Sequence, residues 1–163
     1  MNDKSLATIK DHIHAGEKAI PFPYLDNKGN VTIAIGHKIE NFEQFEKLDI
    51  NVGKPGRGVI PATPEDKRQA WDALQGEIEK GGFEKRPASD YQTVTATRMA
   101  PDAVEADFGR LVREDHLPKA KAALKDDAAW DRLTDTQKAI LVDVQYARAV
   151  HVYPESLRGF TFC

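Results

Sequence analysis

Hydrophobic positions along this chain follow two different periods, and the points where the period changes divide it into elements. Leu6, Ile9 and Ile13 recur at helical spacing, which predicts a helix over residues 3–15 with Asn2 or Asp3 as its cap and Gly16 as its end. Further on, Val31, Ile33 and Ile35 alternate with Thr32, Ala34 and Gly36. That period of two is the signature of a half-buried strand, and it turns Thr32 away from the apolar side. Asp26-Asn27-Lys28-Gly29-Asn30 separates this strand from an earlier one as a turn, because Asn and Asp bond their own backbone and Gly29 has no Cβ to clash. Pro21 and Pro23 cannot donate to a ladder, so the earlier strand is predicted to be an edge or an irregular ribbon.

Residues 49–62 carry Gly and Pro at a density that breaks any period and read as a connecting loop. Thr63-Pro64-Glu65-Asp66 is a helix start, with a hydroxyl cap, Pro at the first helical position and acids in the first turn. Ala70, Trp71, Leu74 and Ile78 form its apolar face, and Gly81-Gly82 ends it. Between Phe83 and Met99 the pattern weakens, although Tyr91, Thr93, Val94, Thr95 and Thr97 have strand character. Pro101 opens a helix with Val104, Phe108, Leu111 and Val112 on one side, and Pro118 begins the next. Thr134 and Gln137 fit a capping box, and the run from Ala139 to Val144 is apolar nearly all round, as a central helix is.

Composition narrows the function classes. At 163 residues, 40% apolar and 30% charged, the chain is predicted to fold as a single domain with a core of its own. Its net charge of −3 disfavours nucleic acid as the main partner, since that affinity grows from clustered cations. No run of apolar residues is long enough to span a bilayer. MNDKSLATIKDH lacks a basic region followed by an apolar stretch, so it does not read as a secretory signal. A single cysteine, Cys163, cannot close an intrachain disulfide. His12 and His14 sit two apart on a helix and do not share a face, no HExxH or CxxC occurs, and GKPGRG lacks the order of a phosphate loop. No metal site and no organic cofactor are expected.

Glu17, Asp26 and Thr32 are three oxygen-bearing side chains that flank one helix end and one hairpin. Cleavage of a glycosidic bond needs such a set, with one carboxylic acid to protonate the leaving oxygen and a carboxylate on the other face. Spacing by itself is more often that of solvated surface carboxylates. Glu17, Tyr24-Leu25-Asp26, Gly29 and Thr32-Ile33-Ala34-Ile35-Gly36-His37 together resemble the catalytic signature of bacteriophage-type lysozymes, the muramidases found as endolysins and related cell-wall-degrading toxins. A weaker match runs from Trp130-Asp131-Arg132-Leu133 through Gln137 and Leu141-Val142-Asp143 to Tyr146, and resembles that family's central buried helix. Lys18 and Ala34 stand where the family usually has Gly, and Ala147-Arg148-Ala149 replaces a polar amide and a helix-ending Gly.

The resemblance implies an α+β, lysozyme-like fold with a small β-hairpin lobe, a larger helical lobe and a cleft between them. The small lobe would cover residues 17–98, with an enlarged insertion at about 40–98, and the helical lobe residues 1–16 and 99–163. The family continues for several helices beyond a Gly-Phe pair resembling Gly159-Phe160, which implies either a rearranged fold or further chain. By the same resemblance Glu17 is the general acid, Asp26 the partner carboxylate, and Thr32 helps to hold the attacking water. Tyr24, His37 and Tyr146 are the implied substrate contacts. The reaction would be hydrolysis of the β-1,4 bond between N-acetylmuramic acid and N-acetylglucosamine in bacterial peptidoglycan, with inversion. Inversion implies carboxyl groups roughly 6.5–9.5 Å apart, with Glu17 kept protonated and Asp26 the better solvated. The protein would be made in the cytoplasm and reach the wall by release or injection through a separate system, with an inhibitory or immunity protein as a further partner class. A non-catalytic module of the same shape that binds wall glycan or a protein is the alternative reading. A metal amidase cutting the peptide stem is a third, and it lacks ligand spacing here.

Overall fold

Residues 3–14 and 18–150 are described in this computed structural model, which is mixed α and β, with two small three-stranded antiparallel sheets among its helices. The chain divides into two compact units, residues 1–18 with 107–163 and residues 19–106.

The first unit is helical. Helix α1 (Asp3–His14) packs along α7 (Asp135–Val150), as the spacing of Ile9 and Ile13 requires, since both are buried. Ser5 donates its hydroxyl to Asp135, and His12 lies 3.3 Å from Asp143, so polar contacts border the apolar seam. Both halves of the expected capping box form: the Gln137 amide donates to Thr134 Oγ1 at 3.1 Å, and the Thr134 amide donates to Gln137 Oε1 at 2.9 Å. On α7, Ala139, Val142 and Tyr146 are buried while Ile140 is 46% exposed, so the helix buries one face rather than its whole circumference.

Pro118 does not begin a separate helix. Helix α4 (Pro101–Leu111) runs on through a π-helical turn, Val112–His116, into α5 (Leu117–Leu124). Pro118 comes directly after that π-helical turn, whose wider winding accommodates the ring. Lys125, at φ 57°, ends α5, and Asp126 caps α6 (Asp127–Arg132) through the Ala129 amide at 3.0 Å.

The second unit holds both sheets. Strands β1 (Ile20–Leu25), β2 (Val31–Ala34) and β3 (His37–Ile39) form one in sequence order, and the register of β1 shifts between Ile20 and Tyr24, as its prolines predict. All four residues of β2 are buried, so the strand is covered on both faces rather than half-buried, and Thr32 is 1% exposed. A short helix, α2 (Phe42–Glu46), follows, capped by Asn41.

Residues 49–62 are a hairpin, not a loop: β4 (Asn51–Lys54) pairs with β5 (Gly58–Pro61), and β6 (Thr97–Arg98) pairs with the other edge of β4. Gly56 and Gly58 both take positive φ, so the glycines that mask the strand pattern in the sequence are the residues that turn it. The strand character between Phe83 and Met99 is realised only at β6. Two 3₁₀ turns, Phe83–Lys85 and Ala88–Tyr91, occupy its first half. Arg98 holds it by donating to the carbonyls of Thr95 (3.1 Å), Thr97 (2.7 Å) and Gln92, and the Met99 amide reaches Pro21 O at 2.7 Å.

Helix α3 (Pro64–Lys80) begins with the predicted cap, Thr63 and Asp66 bonding reciprocally at 2.9 and 3.1 Å. Near its end Glu77 receives Arg86 at 2.6 Å and Lys80 at 3.0 Å, and these partners, Arg86 first, hold its carboxyl below the ordinary 4.5. A depressed carboxyl contributes stability in full above its unfolded value and loses it as pH falls through the folded one. Thermal stability is therefore expected to drop as pH goes below about 4.5, with part of that drop absent in Glu77→Gln, which melting temperatures between pH 7 and 3 would check.

Candidate functional site

The turn between β1 and β2 is built from its own side chains. The Asp26 amide donates to Asn30 O and the Gly29 amide to Asp26 O, both at 3.0 Å, closing the backbone. Asp26 Oδ1 then accepts from the amides of Lys28 (2.9 Å) and Asn30 (2.8 Å), while Oδ2 accepts from Asn30 Nδ2 at 3.0 Å. Lys38 Nζ, from β3, lies 3.7 Å from the same Oδ2. A carboxylate can accept all of these donors at once, so the turn fixes both its rotamer and its direction. The Asp26 side chain is 14% exposed and surrounded by protein N–H groups, and its comparison with Glu17 lies outside the described residues.

Thr32 is coupled to Asp26 through Asn30. Its hydroxyl donates to Asn30 O at 3.1 Å, the carbonyl that also takes the Asp26 amide. A buried hydroxyl that donates to the backbone frames the turn, and its oxygen keeps its capacity to accept. Register sets which side chains share a face with it. Tyr24 and Lys38 lie directly across from Thr32 on either side, so the three form a row over one face of the sheet. His37 pairs with Ile33 and therefore sits on the opposite face, separated from Tyr24. Tyr146 belongs to the helical unit, where it is 1% exposed and meets Phe108 and His116 edge-on at 6.3 and 5.1 Å. The expectation that Tyr146 contacts a sugar is corrected, because the ring is spent on packing. Glu17 lies outside the described residues.

Two residues of this constellation were missed in the sequence. Asn30 is visible in hindsight as the last position of an Asp-led turn, and Lys38 would follow from register once both hairpins were drawn. Among the described residues no group of His, Cys, Asp or Glu gathers as a metal site, and no helix is long and apolar enough to cross a membrane.

Protein-family models, characterised proteins and solved structures were all compared with this chain, and none matches it.

The next hairpin carries a backbone feature that bears on the family resemblance. Ala34, fully buried, takes φ 58°, the left-handed region that costs an L-residue roughly 1–2 kcal/mol, and it stands at the position where bacteriophage-type lysozymes usually have Gly. Removing the methyl relieves that strain but loses a little burial and loosens the unfolded chain, terms of similar size. Ala34→Gly is expected to leave stability within about 1 kcal/mol of wild type. Ala139→Gly, which deletes an equally buried methyl from a helix interior, should cost about 1–2 kcal/mol. Urea unfolding of the two variants measures the difference.

Proposed function

We propose that this protein is a peptidoglycan hydrolase of the muramidase type, with Glu17 as general acid and Asp26 as the partner carboxylate. The reading rests on the family resemblance of the Glu17–Asp26–Thr32 spacing, and the observation that carries it is how Asp26 is held. Five-residue turns with an exposed Asp are common, but here two backbone amides, one side-chain amide and one ammonium converge on a single carboxylate at the end of β1. Preorganisation of that kind serves a group that must keep its direction while positive charge develops on a sugar.

Glu17 would protonate the leaving oxygen, and Asp26 would either activate water or stabilise the oxocarbenium-like transition state. Thr32 and Asn30 frame Asp26, and Tyr24, which shares the face of Thr32, would meet substrate. The lysozyme-like fold and the inverting outcome belong to this proposal. So does delivery to the wall by a separate system.

The test is reducing-end release from purified peptidoglycan by wild type and Glu17→Gln. Release by the wild type alone supports the proposal. Equal release overturns it. If neither protein releases ends while both still sediment with the wall, the binding-module reading takes its place; free amino termini lost on chelation would point to an amidase.

A further inference from the structure

We propose that the 40–98 segment acts on the chemistry through Phe83, as a positioning residue for Asp26. This inference rests on the muramidase reading and adds a role for a segment which that reading leaves without one.

Phe83 starts a 3₁₀ turn directly after Gly81 and Gly82, whose φ angles of 71° and 79° reverse the chain at the end of α3. The reversal brings the Phe83 ring onto the Asp26 turn. A Cβ built on Gly29 would lie 2.9 Å from Phe83 Cζ and 3.1 and 3.2 Å from its two Cε atoms, so the ring fills the space that any larger residue at 29 would need. Gly29 sits between Lys28 and Asn30, whose amides are the two donors to Asp26 Oδ1. A ring pressed on the residue between those donors limits their movement away from the carboxylate.

Phe83 is itself held. The Arg86 amide donates to Phe83 O at 3.3 Å, the Arg86 guanidinium binds Glu77 of α3 at 2.6 Å, and the same guanidinium lies 4.3 Å from the centre of the Tyr91 ring, which is fully buried. Support thus passes from α3 through Arg86 to Phe83, and from Phe83 to the turn. Lys38 holds the carboxylate from β3, so two elements distant in the chain fix one side chain. Small displacements of a catalytic group are costly, an ångström being worth about a hundredfold in rate.

The experiment compares full-length wild type, Phe83→Ala, Phe83→Leu and, as a stability control in the second sheet, Val52→Ala. Amide exchange at Lys28 and Asn30 and the kcat and KM of reducing-end release are measured together. Phe83→Ala is expected to speed exchange at those two amides at least about tenfold relative to the rest of the unit. It should lower kcat about tenfold with KM nearly unchanged, and Phe83→Leu should restore most of both. Unchanged exchange at the two amides overturns the inference, and so does a kcat loss that Val52→Ala reproduces at equal loss of stability. A wild type that releases no reducing ends, with selective exchange still present, overturns the muramidase reading and the catalytic role of Phe83 with it. An active wild type with unaffected amides overturns the inference alone.

Discussion

Glu17→Gln is expected to lower reducing-end release from peptidoglycan by about 10³-fold, within the 10²–10⁴ that general acid catalysis supplies. Glutamine keeps the shape and most of the polarity of the acid but has no proton to give. The leaving sugar oxygen must then depart as an alkoxide or wait for water. Because the substitution is nearly isosteric, binding to the wall should change little, and the loss should fall on kcat. Among the described residues, Asp26 is held by its own turn and by Lys38. Partial loss of only two- or threefold would mean that Glu17 is not the acid.

Gly29→Ala is expected to destabilise the sheet-bearing unit strongly. Two costs combine. At φ 80° an alanine is strained by roughly 1–2 kcal/mol, and its Cβ would sit 2.9 Å from Phe83, a contact that forces the ring or the turn to move at a further cost of about 1–3 kcal/mol. Together they amount to about 2–5 kcal/mol, a large share of what a domain of this size has to spend. A double-mutant cycle separates the terms. In a Phe83→Ala background the clash disappears and only the backbone strain remains, so Gly29→Ala should then cost no more than about 2 kcal/mol. Equal costs in both backgrounds, read from urea unfolding, would show that the ring does not press on the turn.

Local chemistry could be read from the residues in order. The caps at Thr63 and Thr134 form as their neighbours Asp66 and Gln137 require, because a cap is a bargain among residues three apart. The Asp26–Asn30 turn was legible for the same reason. The hairpin at 51–61 was not, since Gly and Pro signal a turn without saying that the residues on either side will find each other. Pro118 misled in the opposite sense, because a proline in a first helical turn looks alike whether or not helix precedes it.

From its sequence alone, this chain determines an α+β composition of elements, their caps and turns, and a spacing of Glu17, Asp26 and Thr32 that resembles one family. Tertiary structure alone decided that Thr32 is enclosed, that His37 and Tyr24 part company across the sheet, that Tyr146 is a packing residue, and that Lys38 and Phe83 meet the Asp26 turn. The physical reason is range: hydrogen bonds within a turn depend on a few consecutive dihedrals, whereas burial and cross-strand neighbours depend on which distant segments come to rest against one another.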